Sequence, residues 1–277
     1  MALRDERITF IGCGAMGEAM VKGLLRQRLI PPTQIIASHP RLDRRTILEE
    51  RYEITTTADN REACEGASIV VLTIKPQFLN EVLVDLKNAL DPSQLVMTII
   101  AGITLGKLAT ALKTPKVVRA MPNTPGQIGS GITVWTRTDK VDEKESAKVR
   151  SVLSAMGKEE FVTHENELDM ATALSGTGPA YVFLFMEALV DAGVHMGFSR
   201  RVASRLVFET VRGAVDFASE APEHVAKLRN QVTSPGGTTA SALYELEKGG
   251  LRTVLTDGVW AAYRRCVDLG KQANGDD

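Results

Sequence analysis

The run "RITFIGCGAMGEAMVKGLL" from Arg7 constrains the fold more than any other stretch of the chain. A short β-branched strand leads directly into Gly12-x-Gly14-x-x-Gly17, and the residues that follow have helical spacing. Such spacing alone is weak evidence, because glycine is common at turns. It gains weight at the end of the first strand of an alternating β/α pattern. There Gly12 permits a tight turn, Gly14 lets the backbone approach a pyrophosphate, and Gly17 allows close helix–strand packing. The exposed amides of the helix start then meet the phosphate charge. The candidate loop comprises Gly12, Cys13, Gly14, Ala15, Met16 and Gly17.

The alternation continues for half the chain. "TQIIAS", "YEITTT", "SIVVLTIK", "LVMTIIAG" and "KVVRAMPN" read as further strands, with helices such as 15–28 and 77–90 between them. Continuous apolar strands separated by helices predict a parallel sheet covered on both faces. "GITVWTR" and "KEEFVTH", flanking a polar helix over 142–156, extend the same sheet. From about Asn166 strand signals vanish and helices are predicted over 167–174, 180–196, 200–219, 223–231, 240–247 and 251–271. Val207, Val211, Ala214, Val215 and Ala218 share one helical face, and Gly193, Gly197 and Gly249-Gly250 are expected helix stops. The 180–196 segment is apolar nearly all round, so burial by a second subunit is expected. The expectation is a dinucleotide-binding domain over 1–166 and a helical domain over 167–277.

Thirty-three basic residues against 34 acidic ones give a net charge of −1, and no Lys/Arg block suggests nucleic acid. Cys13, Cys64 and Cys266 lie far apart without a CxxC pattern, which suits a reducing, cytoplasmic compartment. Four histidines without ligand spacing predict no metal. The first apolar run begins too early for a secretory signal. The stretch from Pro179 is interrupted by Glu187 and Asp191 and reads as too short for a bilayer, so no membrane is expected.

The end of the second strand tests which dinucleotide binds. A carboxylate there would accept from a ribose 2′-hydroxyl, but "IIASHPRLDRR" offers Ser38, His39 and Arg41, with Arg44 and Arg45 close behind. NADPH is favoured and NADH use stays open; for Arg44 and Arg45 a solvated helix face is an equal alternative. "TIKP" (Thr73, Lys75, Pro76) and "IAG" (Ala101, Gly102) fall at strand ends, where ligands of open α/β sheets lie. Asn123 and Thr124 stand where a nicotinamide ring would be reached, or simply form a turn. Cys13 reads as a small buried filler.

The stretch "TSPGGTTASALYELEKGG" from Thr233 sets a proline, a diglycine and two threonines before a helix. Thr238 or Thr239 is the expected N-cap, and no Glu or Gln stands three residues on to complete a capping box. The free amides therefore form a receptor for a small carboxylate, with neutral donors and a positive dipole end; a plain capped helix is the alternative.

"LRNQVTSPGGTTASALYELEKGG" from Leu228 resembles the signature of the pyrroline-5-carboxylate reductases, and "SGTGPAY", "MPNTP", "TIKP" and the glycine loop follow that family's order. The resemblance covers nearly the whole chain. It implies a Rossmann-type doubly wound α/β domain followed by an all-α dimerisation domain, like the C-terminal half of 6-phosphogluconate dehydrogenase. It also implies reduction of the imine of 1-pyrroline-5-carboxylate to L-proline by NAD(P)H, in homodimers that build larger rings, often decamers. By the same resemblance Gly237, Thr238 and Thr239 hold the substrate carboxylate, and the Thr239 hydroxyl serves the ring nitrogen as the catalytic contact. Ser175, Gly176 and Thr177 line the pocket near the nicotinamide, and Asn60 joins the cofactor residues. Glu220 and Glu223 are equally eligible for the family's acidic position, which stays open. A β-hydroxyacid dehydrogenase shares the layout but wants a lysine on the long helix, and 180–196 has none. A non-catalytic NADP-sensing regulator leaves "SPGGTT" unexplained.

Overall fold

A computed structural model of the chain describes residues 3–274. Its amino-terminal part holds strands β1 (Ile8–Ile11), β2 (Ile35–Ser38), β3 (Thr55–Thr57), β4 (Ile69–Leu72), β5 (Leu95–Thr98), β6 (Val117–Met121), β7 (Gly131–Arg137) and β8 (Gly157–Phe161). They form one sheet in the order β3-β2-β1-β4-β5-β6-β7-β8. β1 runs parallel to both neighbours, with Ile8 opposite Ile35 and Ile69, while β6 and β7 are antiparallel.

Each of β1, β2, β4, β5 and β6 is buried along its whole length. Successive side chains point to opposite faces of a strand. Phe10, Val71 and Met97 accordingly enter one apolar core with Met20, Leu24 and Trp135. Ile11, Leu72 and Val96 enter the other with Leu86 and Leu108. Helices α1 (Ala15–Arg26), α2 (Leu42–Tyr52), α3 (Asn60–Cys64), α4 (Leu79–Leu86), α5 (Leu105–Leu112) and α6 (Glu143–Ser154) connect the strands. The chain moves outward from β1 to β3 and returns on the other side at β4. That reversal opens a crevice at the carboxyl ends of β1 and β4.

Contacts divide the chain into two compact units, one of residues up to Thr177 together with those from Ala262 onward, the other Gly178–Ala261. In the first unit α7 (Glu167–Ala171) packs on β6 and β7 and continues into a π turn over Thr172–Gly176. The end of α12 (Leu251–Asn274) lies against Gly102, where an added Cβ would stand 3.2 Å from Gly270 Cα.

The second unit holds α8 (Gly178–His195), α9 (Arg200–Glu220), α10 (Val225–Gln231), α11 (Thr238–Lys248) and the start of α12. Gly193 does not stop α8, contrary to expectation. It lies inside the helix and allows close contact with α9, since a Cβ there would stand 3.0 Å from Ala203 Cβ. The stop is Gly197, at φ +106°.

The apolar surface of α8 is not covered within the chain: Phe183 and Leu184 are 61% and 68% exposed. On α9 the expected apolar face is also open, with Val215 exposed. Counted with α7 and the π turn, Glu167–His195 makes 29 residues of helix, long and apolar enough by length and composition to cross a bilayer. The expectation that this stretch is too short is therefore corrected. Four acidic residues, Glu167, Asp169, Glu187 and Asp191, lie within it, and Asp191 accepts from Arg200 at 2.9 Å. A protein-facing helix tolerates this far better than a lipid-facing one.

Candidate active site

The chain leaves β1 through Gly12, whose φ of +72° is left-handed. A Cβ there would collide with Ile74 Cγ2, so only glycine fits the turn. The Gly12 and Cys13 amides both donate to Ser38 O, at 3.0 and 3.1 Å, fastening the loop to the end of β2. Gly14 caps α1 with no side chain, which leaves the first-turn amides of Ala15, Met16 and Gly17 to a ligand. A Cβ on Gly14 would meet nothing nearer than Gly12 O at 3.8 Å, whereas one on Gly17 would stand 2.7 Å from Thr73 Oγ1. Gly14 thus faces open space and Gly17 faces the sheet, the cradle a pyrophosphate needs. Cys13 is buried, and burial pushes its thiol up to about 12, so it offers the site backbone and no thiolate.

Arg44, for which a solvated helix face was the alternative, is instead largely buried, and it braces this loop. Arg44 donates through Nε to Cys13 O at 3.1 Å and through a terminal nitrogen to Gly14 O at 3.3 Å and Glu18 at 2.6 Å. The Tyr52 hydroxyl donates to Glu18 at 2.8 Å. Burial alone would raise the Glu18 carboxyl, but these hydrogen bonds and the charges of Arg44 and Arg51 hold it below the usual carboxylate range.

At the end of β2, the buried Ser38 hydroxyl donates to Asn60 Oδ1 at 2.7 Å, and Asn60 donates to Asp85 at 3.0 Å. His39 Nδ1 accepts from the Arg41 amide at 3.2 Å. Burial, then the charges of Arg44 and Arg41, hold the His39 imidazole below its usual pKa. Arg41 is exposed and pairs with Asp43, while Arg45 donates to His39 O at 2.9 Å. No carboxylate stands at the strand end itself.

The remaining strand ends divide by accessibility. Thr73 is buried and its hydroxyl donates to Ile11 O at 3.0 Å, so it clasps β4 to β1. Lys75 is exposed and precedes a short 3-10 turn that starts at Pro76. Ala101 is half-buried, and Gly102 turns at φ +80°. Asn123 Oδ1 accepts from the Ile132 amide at 3.0 Å, so its side-chain oxygen shapes the turn and only its NH2 remains for a ligand.

Ser175 and Gly176 lie in the π turn, and Thr177 closes it: the Thr177 amide and hydroxyl both donate to Thr172 O, at 2.8 and 2.9 Å. Single π turns inside helices commonly sit at functional sites. Beneath it is a second cluster that the sequence reading passed over, since Arg119 reads there only as part of a strand. Its guanidinium is 2% exposed and donates to Glu165 at 3.1 Å and Asp169 at 2.7 Å.

In the second unit, α11 begins at Thr238 with Gly237 as its N-cap, at φ −78° and ψ 169°, and without a side-chain cap. This corrects the expected N-cap of Thr238 or Thr239, which stand one and two residues into the helix. The diglycine explains the difference. Gly236 turns at φ +69°, and a Cβ on Gly237 would collide with the Ser234 hydroxyl. Thr238 and Thr239 therefore present both amide and hydroxyl at the positive end of α11. Among the described residues no group of three His, Cys, Asp or Glu side chains is gathered as a metal ion would need.

Comparison with known proteins places this geometry in context. A family model described as pyrroline-5-carboxylate reductase dimerisation matches residues 165–269, and one described as NADP oxidoreductase, coenzyme F420-dependent, matches residues 7–102. The pyrroline-5-carboxylate reductase of a Synechocystis strain is 38% identical over 266 residues, covering 96% of this chain and 99% of its own. That of Pseudomonas aeruginosa is 38% identical over 271 residues, covering 98% and 99%. The crystal structure of Plasmodium falciparum pyrroline carboxylate reductase with NADP bound superposes with a TM-score of 0.88 at 30% identity, over 96% of this chain and 99% of that one.

Proposed function

The chain belongs to the pyrroline-5-carboxylate reductase family, and we propose on that premise that it reduces the C=N bond of 1-pyrroline-5-carboxylate to L-proline. This is the last step of proline biosynthesis, with NAD(P)H as reductant. The observation that carries the reading is the uncapped start of α11, where a glycine N-cap leaves amides beside two threonine hydroxyls. A small carboxylate fits such a group of neutral donors, and a ring of that size brings its nitrogen within reach of a side chain in the same first turn.

The glycine loop fits the cofactor, because Gly14 leaves open space before uncapped amides and no acidic side chain stands at the end of β2. Gly12, Cys13, Gly14, Ala15, Met16 and Gly17 would hold its pyrophosphate by backbone. Ser38, His39 and Arg41, with Asn60 behind Ser38, would hold the adenosine end. Thr73, Lys75, Pro76, Ala101, Gly102 and Asn123 would line its course along the strand ends. When bound, the cofactor supplies the hydride.

The chain's own task is to bind and orient. Amides of Gly237, Thr238 and Thr239 grip the carboxylate, and the Thr239 hydroxyl meets the ring nitrogen. Ser175, Gly176 and Thr177 shape the pocket wall from the π turn. A cyclic imine is basic enough to bind protonated, and an iminium carbon is already electrophilic. A hydroxyl oxygen that accepts from the iminium N–H suits that cation better than a lysine, which would repel it; the remaining gain comes from alignment.

His39 and Arg41 favour NADPH over NADH. The exposed apolar faces of α8 and α9 form the homodimer, and dimers assemble into a ring, with a decamer proposed. Residues 1–166 act as the cofactor region and 167–277 as the dimerisation and substrate region, in the cytoplasm. Gel-filtered protein supplied with 1-pyrroline-5-carboxylate should oxidise NADPH faster than NADH at equal low concentration and release L-proline. Oxidation without proline, or no imine-dependent oxidation, would overturn the proposal.

A further inference from the structure

The buried Arg119 cluster joins the two parts of the first unit that the reductase reading assigns to the pocket. β6 carries Arg119 and Met121 two residues apart, so both side chains leave the same face of the strand. Arg119 donates to Glu165 just before α7 and to Asp169 within α7, at 3.1 and 2.7 Å. Further along, the π turn passes near the strand end, since a Cβ added to Gly176 would stand 3.8 Å from Met121 Cγ. The ion pairs therefore fix α7 on β6, and the π turn that continues from α7 passes close to the end of that strand. Beyond Met121 the chain leaves β6 for Asn123; beyond Ala171 it leaves α7 through the π turn, with Ser175 and Gly176, to Thr177.

Two further bonds extend the cluster. Glu165 Oε1 also accepts from the Leu105 amide at 2.8 Å, which ties it to the start of α5 and the segment after Gly102. The Cys266 thiol lies 3.7 Å from Asp169, bringing in the returning end of α12. One guanidinium with both terminal nitrogens on separate carboxylates holds a defined geometry that an ammonium cannot reproduce.

We infer that Arg119 is a positioning residue for hydride transfer, fixing the π turn over Thr172–Gly176 against the Met121–Asn123 strand end. It touches neither cofactor nor substrate and acts through the segments it holds. The inference rests on the reductase reading, which the wild-type rate tests separately. Small displacements of positioned groups cost rate more than affinity.

The test compares wild type with Arg119→Lys, which keeps one buried positive charge but loses the fork, and with Asp169→Asn, which keeps the shape and an acceptor oxygen but removes the carboxylate charge. Three readings are taken on each: kcat and KM for 1-pyrroline-5-carboxylate, Kd for NADPH, and amide hydrogen exchange over residues 172–177. For both variants kcat should fall at least tenfold, while Kd for NADPH and the melting temperature stay near wild type. Exchange at Thr177 should quicken at least tenfold with β1 and β4 unchanged, a result that needs no turnover. Unchanged kcat and exchange in Arg119→Lys would overturn the inference. So would parallel loss of melting temperature, NADPH affinity and rate in both variants, since the cluster would then be a general stabiliser.

Discussion

Thr239 stands in the first turn of α11, so the backbone of that turn fixes its hydroxyl without help from a long flexible stem. A hydrogen bond to a charged group contributes roughly 1.5–3 kcal/mol, about 10- to 150-fold in rate if it forms with the iminium. Thr239→Ala should lower kcat/KM for the pyrroline by that factor and leave NADPH affinity unchanged, while Thr239→Ser stays within about threefold; steady-state kinetics and fluorescence titration check this. His39 gives a pH prediction. Its free-state pKa lies below the usual value because of burial and the nearby Arg44 and Arg41, and a bound 2′-phosphate would raise it. Protonation is then coupled to binding, so NADPH affinity rises as pH falls from the bound-state pKa towards the free-state one and is flat above that window. The phosphate's own titration is common to wild type and His39→Gln. The variant should therefore lose part of the rise between pH 8 and 5.5 in calorimetric Kd values; superimposable curves would remove His39 from the site.

At the level of single elements, the two ends of the glycine loop should respond differently to the same added methyl. Gly14→Ala meets open space at an allowed φ of −80°, so folding should survive and NADPH affinity should fall at least tenfold as the methyl occupies the ligand's room. Gly12→Ala meets Ile74 at a left-handed φ, so the melting temperature itself should drop by several degrees in a thermal melt. The glycine spacing and the strand pattern were legible because they are local. The start of α11 was half legible: the missing capping box could be read, but not that Gly237 displaces both threonines as N-cap. At α6 the opposite holds, since Asp142 and Glu145 cap each other reciprocally at 2.8 and 3.0 Å. The Arg44–Glu18 brace and the Arg119 cluster were not legible. Their partners lie 26, 46 and 50 residues away, and only the sheet order brings them together.

For the whole molecule, the decisive feature is a helical unit too apolar to face water alone. Phe183, Leu184, Leu206, Phe208, Val215 and Trp260 are all exposed in the single chain. The all-round apolar sequence of α8 already pointed to a covering subunit; which of its side chains the chain leaves bare became legible only in the fold. Phe183→Asp should shift sedimentation towards the monomer and abolish turnover, while the separate sheet keeps its NADPH affinity within about threefold. A dimeric, active variant would place the subunit interface elsewhere. Substrate recognition depends most on the uncapped amides before α11 gripping a carboxylate, and one comparison tests that directly: kcat/KM of the wild-type enzyme for 1-pyrroline-5-carboxylate against unsubstituted 1-pyrroline. Two charge-assisted bonds lost predict a fall of about 100-fold or more for the ring without the acid. Rates within threefold of each other would mean that these amides hold no carboxylate.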